Sequence, residues 1–268
     1  MNLVDTHCHI HSTSAKDDHT AQLWSKLGIS TEEIIDRARL EGINKLICVG
    51  TDIDDSRLSV ALAGKNRVCF ASVGIHPHET DRYVNDSSTC DDFESLLKKP
   101  KVVAIGECGL DYFYHHSGKQ AQIRLLKLQL DMALKHDLPL ILHVREAFSD
   151  FWTIFDNYQG RLRGVLHSFT DSQLNLNKAV ERGLFIGVNG IVTFNKDPKA
   201  RDMYRHIPLE RILLETDAPY LTPTPYRGNI NEPKFIRTIC EYLSELMEED
   251  PNRLAVQSTN NAHLLFGI

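Results

Sequence analysis

Short runs of apolar residues alternate with longer amphipathic stretches from one end of the chain to the other. The runs are rich in Val, Ile and Leu, which is typical of parallel strands covered on both faces. We predict eight strands: Asn2–Asp5, Lys45–Gly50, Val68–Gly74, Val102–Gly106, Leu138–His143, Gly164–His167, Leu184–Val188 and Arg211–Glu215. Because strands and helices alternate, the sheet should be parallel, and eight repeats predict an α/β protein of the (β/α)₈ TIM barrel class.

Amphipathic stretches between these runs predict the helices. Ser30-Thr31-Glu32-Glu33 has the form of a capping box and predicts a helix that continues to Leu40 and ends at Gly42. A second helix is predicted over Gln120–His136. Three longer stretches between the predicted strands and helices are predicted to be irregular: His11–Gly28, Glu79–Ser88 and Leu221–Asn231. No shift in composition marks a boundary, so we expect residues 1–268 to form a single hydrolase domain.

Charge narrows the classes of function. The chain of 268 residues carries a formal net charge of −6 and has a pI near 6.1. A protein that coats duplex DNA must neutralise many phosphates, which a mildly acidic chain is poorly suited to do. A nuclease is still compatible with this charge, since bound metal ions can supply positive charge locally.

Cysteine usage and hydropathy suggest the compartment. None of the six cysteines stands in a C-x-x-C pair, and several lie in apolar runs, so we expect reduced, mostly buried thiols. We see no signal-peptide pattern at the start of the sequence and no apolar stretch near the ~20 residues that a membrane span needs. The expected location is therefore cytoplasmic or nuclear, without membrane association.

Histidine and acidic residues stand at or just after the carboxyl ends of six predicted strands. In a barrel these ends converge on one face, where the active site lies. The first strand brings Asp5, His7 and His9; the others bring His76, His78, Glu107, His143, His167 and Asp217.

A single histidine at a strand end is usually structural, but the repetition calls for another explanation. Burying so many polar groups costs several kcal/mol unless something compensates them jointly, as metal ions do. In His7-Cys8-His9 the i, i+2 spacing of a strand points both rings to the same face. Imidazoles with carboxylates suit Zn²⁺ or Mn²⁺, whereas Mg²⁺ prefers more oxygen ligands. The set is too large for one tetrahedral site and predicts two ions with a bridging carboxylate.

Eight short motifs, in this order and at these strand ends, resemble those of the TatD family of metal-dependent DNases, which belong to the amidohydrolase-like barrels. The resemblance covers nearly the whole chain. The motifs are Asp5-Thr6-His7-Cys8-His9, Gly74-Ile75-His76-Pro77-His78, Gly106-Glu107-Cys108-Gly109-Leu110-Asp111-Tyr112, Leu142-His143-Val144-Arg145-Glu146-Ala147, His167-Ser168-Phe169, Gly187-Val188-Asn189-Gly190, Glu215-Thr216-Asp217-Ala218-Pro219-Tyr220 and Arg227-Gly228-Asn229-Ile230-Asn231-Glu232-Pro233.

The resemblance implies a role for each metal-site residue. His7 and His9 would hold one metal with Asp217, and Glu107 would bridge to a second metal. That second metal would be held by His143 and His167. The implied cofactors are two divalent ions (Mg²⁺, Mn²⁺ or Zn²⁺). Asp217 would orient the attacking water and take its proton, so Asp217 and Glu107 are the expected catalytic residues.

Substrate contacts are expected from five further residues: His76, His78, Tyr112, Arg145 and Arg227. Arg145 and Arg227 could clamp phosphate through their guanidinium groups, or could form ion pairs within their loops. The Tyr112–Tyr114 aromatics could stack a terminal base or plug the core. His76 or His78 could assist the leaving oxygen. Glu215 is expected to support the site rather than to bind metal.

The leading hypothesis is a DNase that hydrolyses phosphodiester bonds as an exonuclease on single strands or frayed ends. Its expected partner is DNA, with no obligate protein partner. The first alternative is a metal-dependent hydrolase of small esters, lactones or amides, which would gain support if Arg145, Arg227 and the aromatics pointed away from the metals. The second alternative is a non-catalytic interaction protein, against which the intact ligand set argues.

Overall fold

A computed structural model of the chain describes residues 1–14 and 19–268. Within that part, eight strands join in sequence order into one sheet. The strands are β1 (Leu3–Cys8), β2 (Ile43–Val49), β3 (Cys69–Val73), β4 (Val102–Asp111), β5 (Leu140–Arg145), β6 (Gly164–Leu166), β7 (Phe185–Val188) and β8 (Ile212–Leu214). A parallel bridge between Cys8 and Ala218 also joins the end of β1 to the segment after β8. This order confirms the predicted (β/α)₈ class.

Helices separate the strands. Those in the described residues are α1 (His19–Leu27), α2 (Thr31–Leu40), α3 (Ile53–Lys65), α4 (Thr80–Tyr83), α5 (Thr89–Leu97), α6 (Lys119–His136), α7 (Phe148–Phe155), α8 (Gln173–Glu181), α9 (Ile191–Phe194), α10 (Pro198–Arg205), α11 (Ile236–Met247) and α12 (Pro251–Phe266). The Ser30–Glu33 capping box is present: the Glu33 amide donates to Ser30 Oγ, and the Ser30 amide donates to the Glu33 carboxylate. The predicted helix Gln120–His136 is α6.

The chain clusters into two compact units, and the prediction of a single domain stays a prediction. Unit 1 comprises residues 1–48 and 168–268, with 15–18 outside the described part, and unit 2 comprises residues 49–167. In unit 1, α12 packs against β1 and β8, and α11 packs against α12. In unit 2, α3 packs against β3 and α6 packs against β4. The strand pairs inside each unit are parallel.

Three predicted strand ends were too early, those of β1, β4 and β5, and β5 continues past His143 to Arg145. β1 continues to Cys8 and so includes His7, and β4 continues to Asp111 and so includes Glu107. β4 keeps its pairing with β5 beyond the predicted end, with Gly109 opposite His143 and Asp111 opposite Arg145. These polar residues are therefore held by a strand rather than by the loop that follows it.

The predicted irregular stretches were partly wrong. Within His11–Gly28, a 3₁₀ turn reaches Ser14 and α1 covers His19–Leu27, while residues 15–18 lie outside the described part. The stretch Glu79–Ser88 contains α4, whereas Leu221–Asn231 is free of helix and strand, as predicted. The six cysteines are free thiols, and Cys90 is the exposed one. None of the described helices combines the length and the apolar character that a membrane crossing requires.

Gly109 allows β4 to approach β5 at the strand ends. Its φ is +153°, and a Cβ there would lie 1.8 Å from the carbonyl oxygen of His143. We expect Gly109→Ala to destabilise the protein by about 3 kcal/mol, because backbone atoms must move. Gly64→Ala in α3 is the matched control, since a Cβ there meets nothing within 4 Å. Thermal unfolding should show a clear loss of Tm for the first variant only; equal Tm values would contradict the close approach.

Candidate functional site

Unit 1 brings together His7, His9 and Asp217, which we term the first donor group. His7 Nε2 and His9 Nε2 lie 3.3 Å apart, and the two nitrogens lie 3.6 and 3.3 Å from Asp217 Oδ1. The alternation of β1 places both imidazoles on one side, as the i, i+2 spacing predicted. The Asp217 amide donates to the carbonyl of His7, which fixes the carboxylate beside the end of β1.

The first donor group fits a divalent cation. Ligand atoms at ~2.0–2.1 Å from a tetrahedral metal are separated from one another by ~3.3 Å. The three donor separations, 3.3, 3.3 and 3.6 Å, match that edge length. The side chains are largely buried, at 0% exposure for His7, 8% for His9 and 15% for Asp217. Two imidazoles converging on one carboxylate oxygen are the donor set expected for such an ion.

Asp5 supports the first donor group through hydrogen bonds to the backbone next to it. Its carboxylate accepts hydrogen bonds from the amide of His7 and from both the amide and the hydroxyl of Thr216, at 2.6–3.2 Å. Complete burial raises the pKa of Asp5 to about 8, although the Thr216 hydrogen bonds oppose the shift. Asp5 therefore ties the end of β1 to the end of β8 and positions the two candidate ligands that follow, His7 and Asp217.

Unit 2 brings together His76, Glu107 and His143, which we term the second donor group. Glu107 Oε1 lies 2.9 Å from His143 Nδ1 and 3.4 Å from His76 Nε2. Burial lowers the pKa of His76 to about 4, with Glu107 partly opposing it, so this ring is neutral near pH 7 and keeps a nitrogen lone pair. An imidazole binds metal when it is neutral, and a carboxylate binds metal when it is ionised. The second donor group therefore also fits a cation.

His167 lies farther from Glu107 than His143 and His76 do. Its Nε2 is 3.9 Å from Glu107 Oε1, so within unit 2 His76 is the nearer ring. His76 was predicted to contact substrate; its position beside Glu107 and His143 makes it a candidate ligand as well. The role of His167 as a ligand stays a prediction. Its amide donates to the carbonyl of Leu142, which extends the pairing of β5 and β6 by one residue.

Asp111 is the functional candidate that sequence reasoning missed. Its Oδ2 lies 3.0 Å from Nε2 of both His78 and His143, and its side chain is fully buried. Burial favours the neutral acid, but the hydrogen bonds with His143 and His78 outweigh it, so the pKa of Asp111 is lowered. Burial likewise lowers the pKa of His143, but Asp111 and Glu107 outweigh it and raise that pKa. The available signal was the position of Asp111 four residues after Glu107.

Asp111 therefore positions His143 from the side opposite Glu107. We expect Asp111→Asn to weaken divalent-metal affinity by about 10- to 100-fold, the usual effect of losing a carboxylate that orients a ligand histidine. Asp131→Asn is the control, because Asp131 accepts a hydrogen bond from Tyr158 on the exposed side of α6. Calorimetric titration with Mn²⁺ measures the affinity directly. Unchanged affinity in the Asp111 variant would show that the carboxylate only stabilises the fold.

Glu215 contacts the backbone that follows β6, and its supporting role stays a prediction. Its Oε1 accepts a 2.6 Å hydrogen bond from the amide of Ser168, the residue after His167. A Cβ on Gly187 would lie 2.5 Å from the other carboxylate oxygen, so only glycine leaves room for this buried acid. Glu215 thus fixes the turn that begins at Ser168.

The predicted substrate residues have different surroundings. The Tyr112 hydroxyl donates to Asp150 at 2.9 Å, whereas the rings of Phe113 and Tyr114 are exposed. Arg145 lies over both exposed rings. His78 lies at the second donor group through Asp111, and its side chain is 24% exposed.

Arg227 is held within its own loop. It donates to the carbonyl of Thr222 at 2.9 Å, and its guanidinium lies 3.9 Å from the centre of the Phe194 ring. The ion pair predicted as one alternative is not among the described contacts, because the hydrogen-bond partner is a backbone carbonyl rather than a carboxylate. Asn231 ties the same loop to the segment of Asp217 through the carbonyl of Thr216. A role of Arg227 in phosphate binding stays a prediction.

Comparison of the sequence with known proteins gives consistent matches. Residues 4–267 match the family described as TatD related DNase. The chain is 36% identical over 243 residues to the 3'-5' ssDNA/RNA exonuclease TatD of Citrobacter rodentium, covering 88% of this chain and 92% of that relative. It is 31% identical over 267 residues to the uncharacterized metal-dependent hydrolase YabD of Bacillus subtilis, covering 99% of each.

Solved structures agree in fold. The crystal structure of YJJV, a TatD homolog from Escherichia coli, matches with a TM-score of 0.85 at 30% identity and covers 99% of this chain and 98% of that one. The phosphotriesterase homology protein from Escherichia coli matches with a TM-score of 0.70 at 12% identity, covering 99% and 98%. The second likeness shows the fold alone.

Proposed function

The chain belongs to the TatD-related DNase family, and from this premise we propose that it is a metal-dependent exonuclease that hydrolyses phosphodiester bonds at the ends of single-stranded DNA. The observation that carries the proposal is the pair of donor groups, each of two imidazoles and a carboxylate, at the carboxyl ends of barrel strands. Relatives that are about one third identical to this chain are named as exonucleases acting from 3' to 5' on single-stranded DNA and RNA. We therefore assign the 3' end as the site of attack.

Two divalent ions are proposed, one for each donor group. His7, His9 and Asp217 would hold the first, and Glu107 and His143 would hold the second with His76 or His167. The predicted bridging role of Glu107 is kept in this proposal. Imidazole-rich sets favour Mn²⁺ or Zn²⁺ over Mg²⁺, which prefers oxygen ligands. When bound, such ions neutralise phosphate oxygens and make a nearby water more acidic.

The side chains of the site would position the reacting groups and transfer protons. Asp217 is the partly exposed member of the first donor group, so its carboxylate can orient a water and accept its proton. His78 has a more exposed side chain than His76, 24% against 12%, and can donate a proton to the leaving oxygen. Asp111 holds His78 in place for that step through the 3.0 Å contact. Glu107 orients His143 and His76 through its Oε1.

A nuclease assay with end-labelled DNA tests this function. Single-stranded DNA labelled at the 5' or the 3' end is incubated with the purified protein and Mg²⁺, Mn²⁺ or Zn²⁺, with EDTA in parallel. We expect metal-dependent removal of nucleotides from the 3' end, seen as a ladder from the 5' label and as early release of the 3' label. If no DNA is cleaved while p-nitrophenyl acetate or a lactone is hydrolysed with metal, the protein is instead a small-ester hydrolase.

A further inference from the structure

Two exposed aromatic rings follow the second donor group. Phe113 and Tyr114 come directly after β4, and their exposed fractions are 45% and 49%. Their rings meet edge to face, with centroids 4.8 Å apart and planes at 90°. We call this pair the aromatic platform. Because the two rings are adjacent, they present a contiguous apolar surface to a ligand.

An arginine supports the platform. The guanidinium of Arg145, at the end of β5, lies 4.0 Å from the ring centre of Phe113 and 4.7 Å from that of Tyr114. Arg145 is itself exposed, so it brings a positive charge beside the two rings. Exposed aromatic rings beside an arginine form the combination by which proteins hold unpaired bases and the phosphates next to them.

The platform is fixed to the site by a single carboxylate. Asp111 Oδ1 accepts hydrogen bonds from the amides of Phe113 and Tyr114, at 2.9 and 3.0 Å, while Oδ2 contacts His78 and His143. The ring of Tyr114 also lies edge-on to His78, with centroids 5.5 Å apart. A ligand on the platform is therefore within about one nucleotide of the proposed chemistry.

A buried glutamine fastens the same loop at both of its ends. Gln122 of α6 accepts from the amide of Asp111 and donates to the carbonyls of Asp111 and Ser117, at 2.8–3.0 Å. Because the backbone is held in this way, the loop that carries the two rings keeps its position without a ligand. A preformed surface of this kind costs little entropy on binding.

We propose that the aromatic platform stacks an unpaired base of the substrate, within two nucleotides of the 3' end, and that Arg145 contacts the adjoining phosphate. The proposal rests on the proposed nuclease function and adds the surface that holds the unpaired end. A base in a duplex is covered by its neighbours and cannot present a free face to Phe113 or Tyr114. Stacking is tolerant of sequence, since every base has a π face.

The test removes the aromatic rings from the protein and the base from the DNA in separate experiments. The probe is a 5'-fluorescein oligomer of ten thymidines, compared with oligomers that lack the base at the terminal or the penultimate 3' position. The double variant Phe113→Leu/Tyr114→Leu should raise the KM for the full oligomer about tenfold and change kcat little. For wild-type protein, KM should rise by a similar factor when one of the two abasic oligomers replaces the full oligomer. For the double variant, the missing base should cause no further rise in KM.

Two further variants separate stacking from folding. Tyr114→Phe keeps the ring and should keep wild-type KM. Tyr242→Leu is the matched control, because Tyr242 also has an arginine on its face, Arg201, but lies on α11. Equal sensitivity of wild type and double variant to the missing base would overturn the proposal, as would unchanged KM in the double variant.

Binding is also measured without cleavage, which separates this proposal from the nuclease function. Fluorescence anisotropy with the same oligomers, made with hydrolysis-resistant phosphorothioate linkages, should show the same tenfold losses. Absence of metal-dependent shortening by wild-type protein would remove the nuclease function. If the double variant then bound the phosphorothioate oligomers as tightly as wild type, the platform would also be refuted.

Discussion

Asp217→Asn should reduce the rate of nucleotide release from single-stranded DNA by about 1,000-fold, the range that a positioned proton acceptor contributes. The amide keeps the shape of the side chain but loses the charge that the first donor group needs to hold a cation. In the wild-type protein Asp217 Oδ1 lies 3.3 Å from His9 Nε2, and this oxygen is the expected metal ligand. The rate is measured with 5'-labelled DNA and saturating Mn²⁺.

Asp202→Asn is the control for this loss, since Asp202 is a surface carboxylate with 65% of its side chain exposed. Thermal unfolding of both variants checks that the fold is intact. A folded Asp217→Asn protein that keeps near-wild-type nuclease activity would remove Asp217 from the chemistry and from the proposed metal site.

Glu107→Gln should lower the rate by roughly 1,000-fold as well, because a bound ion contributes several kcal/mol of charge stabilisation and this variant loses the carboxylate that holds it. Glutamine can still hydrogen-bond to His143, so the fold should survive. The variant also tests the bridging role. If Glu107 bridges, the variant should lose affinity for both ions; if it serves the second donor group alone, one ion should stay bound.

Metal content after equilibrium dialysis distinguishes these outcomes, and Glu241→Gln is the control on α11, where Glu241 pairs with Arg237 and is 49% exposed. Wild-type metal content together with wild-type activity in Glu107→Gln would contradict any metal-binding role of Glu107.

The sequence predicted the order of the strands well because buried parallel strands are continuously apolar. It predicted their ends less well, since β4 continues through polar and glycine residues to Asp111. The extension depends on pairing with β5, a contact between distant parts of the chain. α1 was missed for a similar reason: Trp24 is its buried anchor, and the indole donates to the carbonyl of His9, which no local pattern reveals.

The candidate ligands were accessible from the sequence because histidine is unusual at a buried strand end. The partners that orient them were not. The spacing of Asp111 from Glu107 was the signal available, but its role became evident with His78 and His143 on the same oxygen. Among the aromatic residues, sequence favoured Tyr112, but its hydroxyl is bound to Asp150 and the exposed rings are Phe113 and Tyr114. Consecutive residues after a strand point in different directions, and composition alone cannot rank them.

Metal titration of the stripped protein tests the proposed two-ion hydrolysis most directly. The protein is dialysed against chelator, Mn²⁺ is added back in measured equivalents, and bound metal and release of nucleotides from the 3' end of single-stranded DNA are followed together. We predict no activity without metal and a rise to a plateau as two ions bind per chain. Full activity in the metal-free protein, or no cleavage after two ions have bound, would contradict a metal-dependent nuclease.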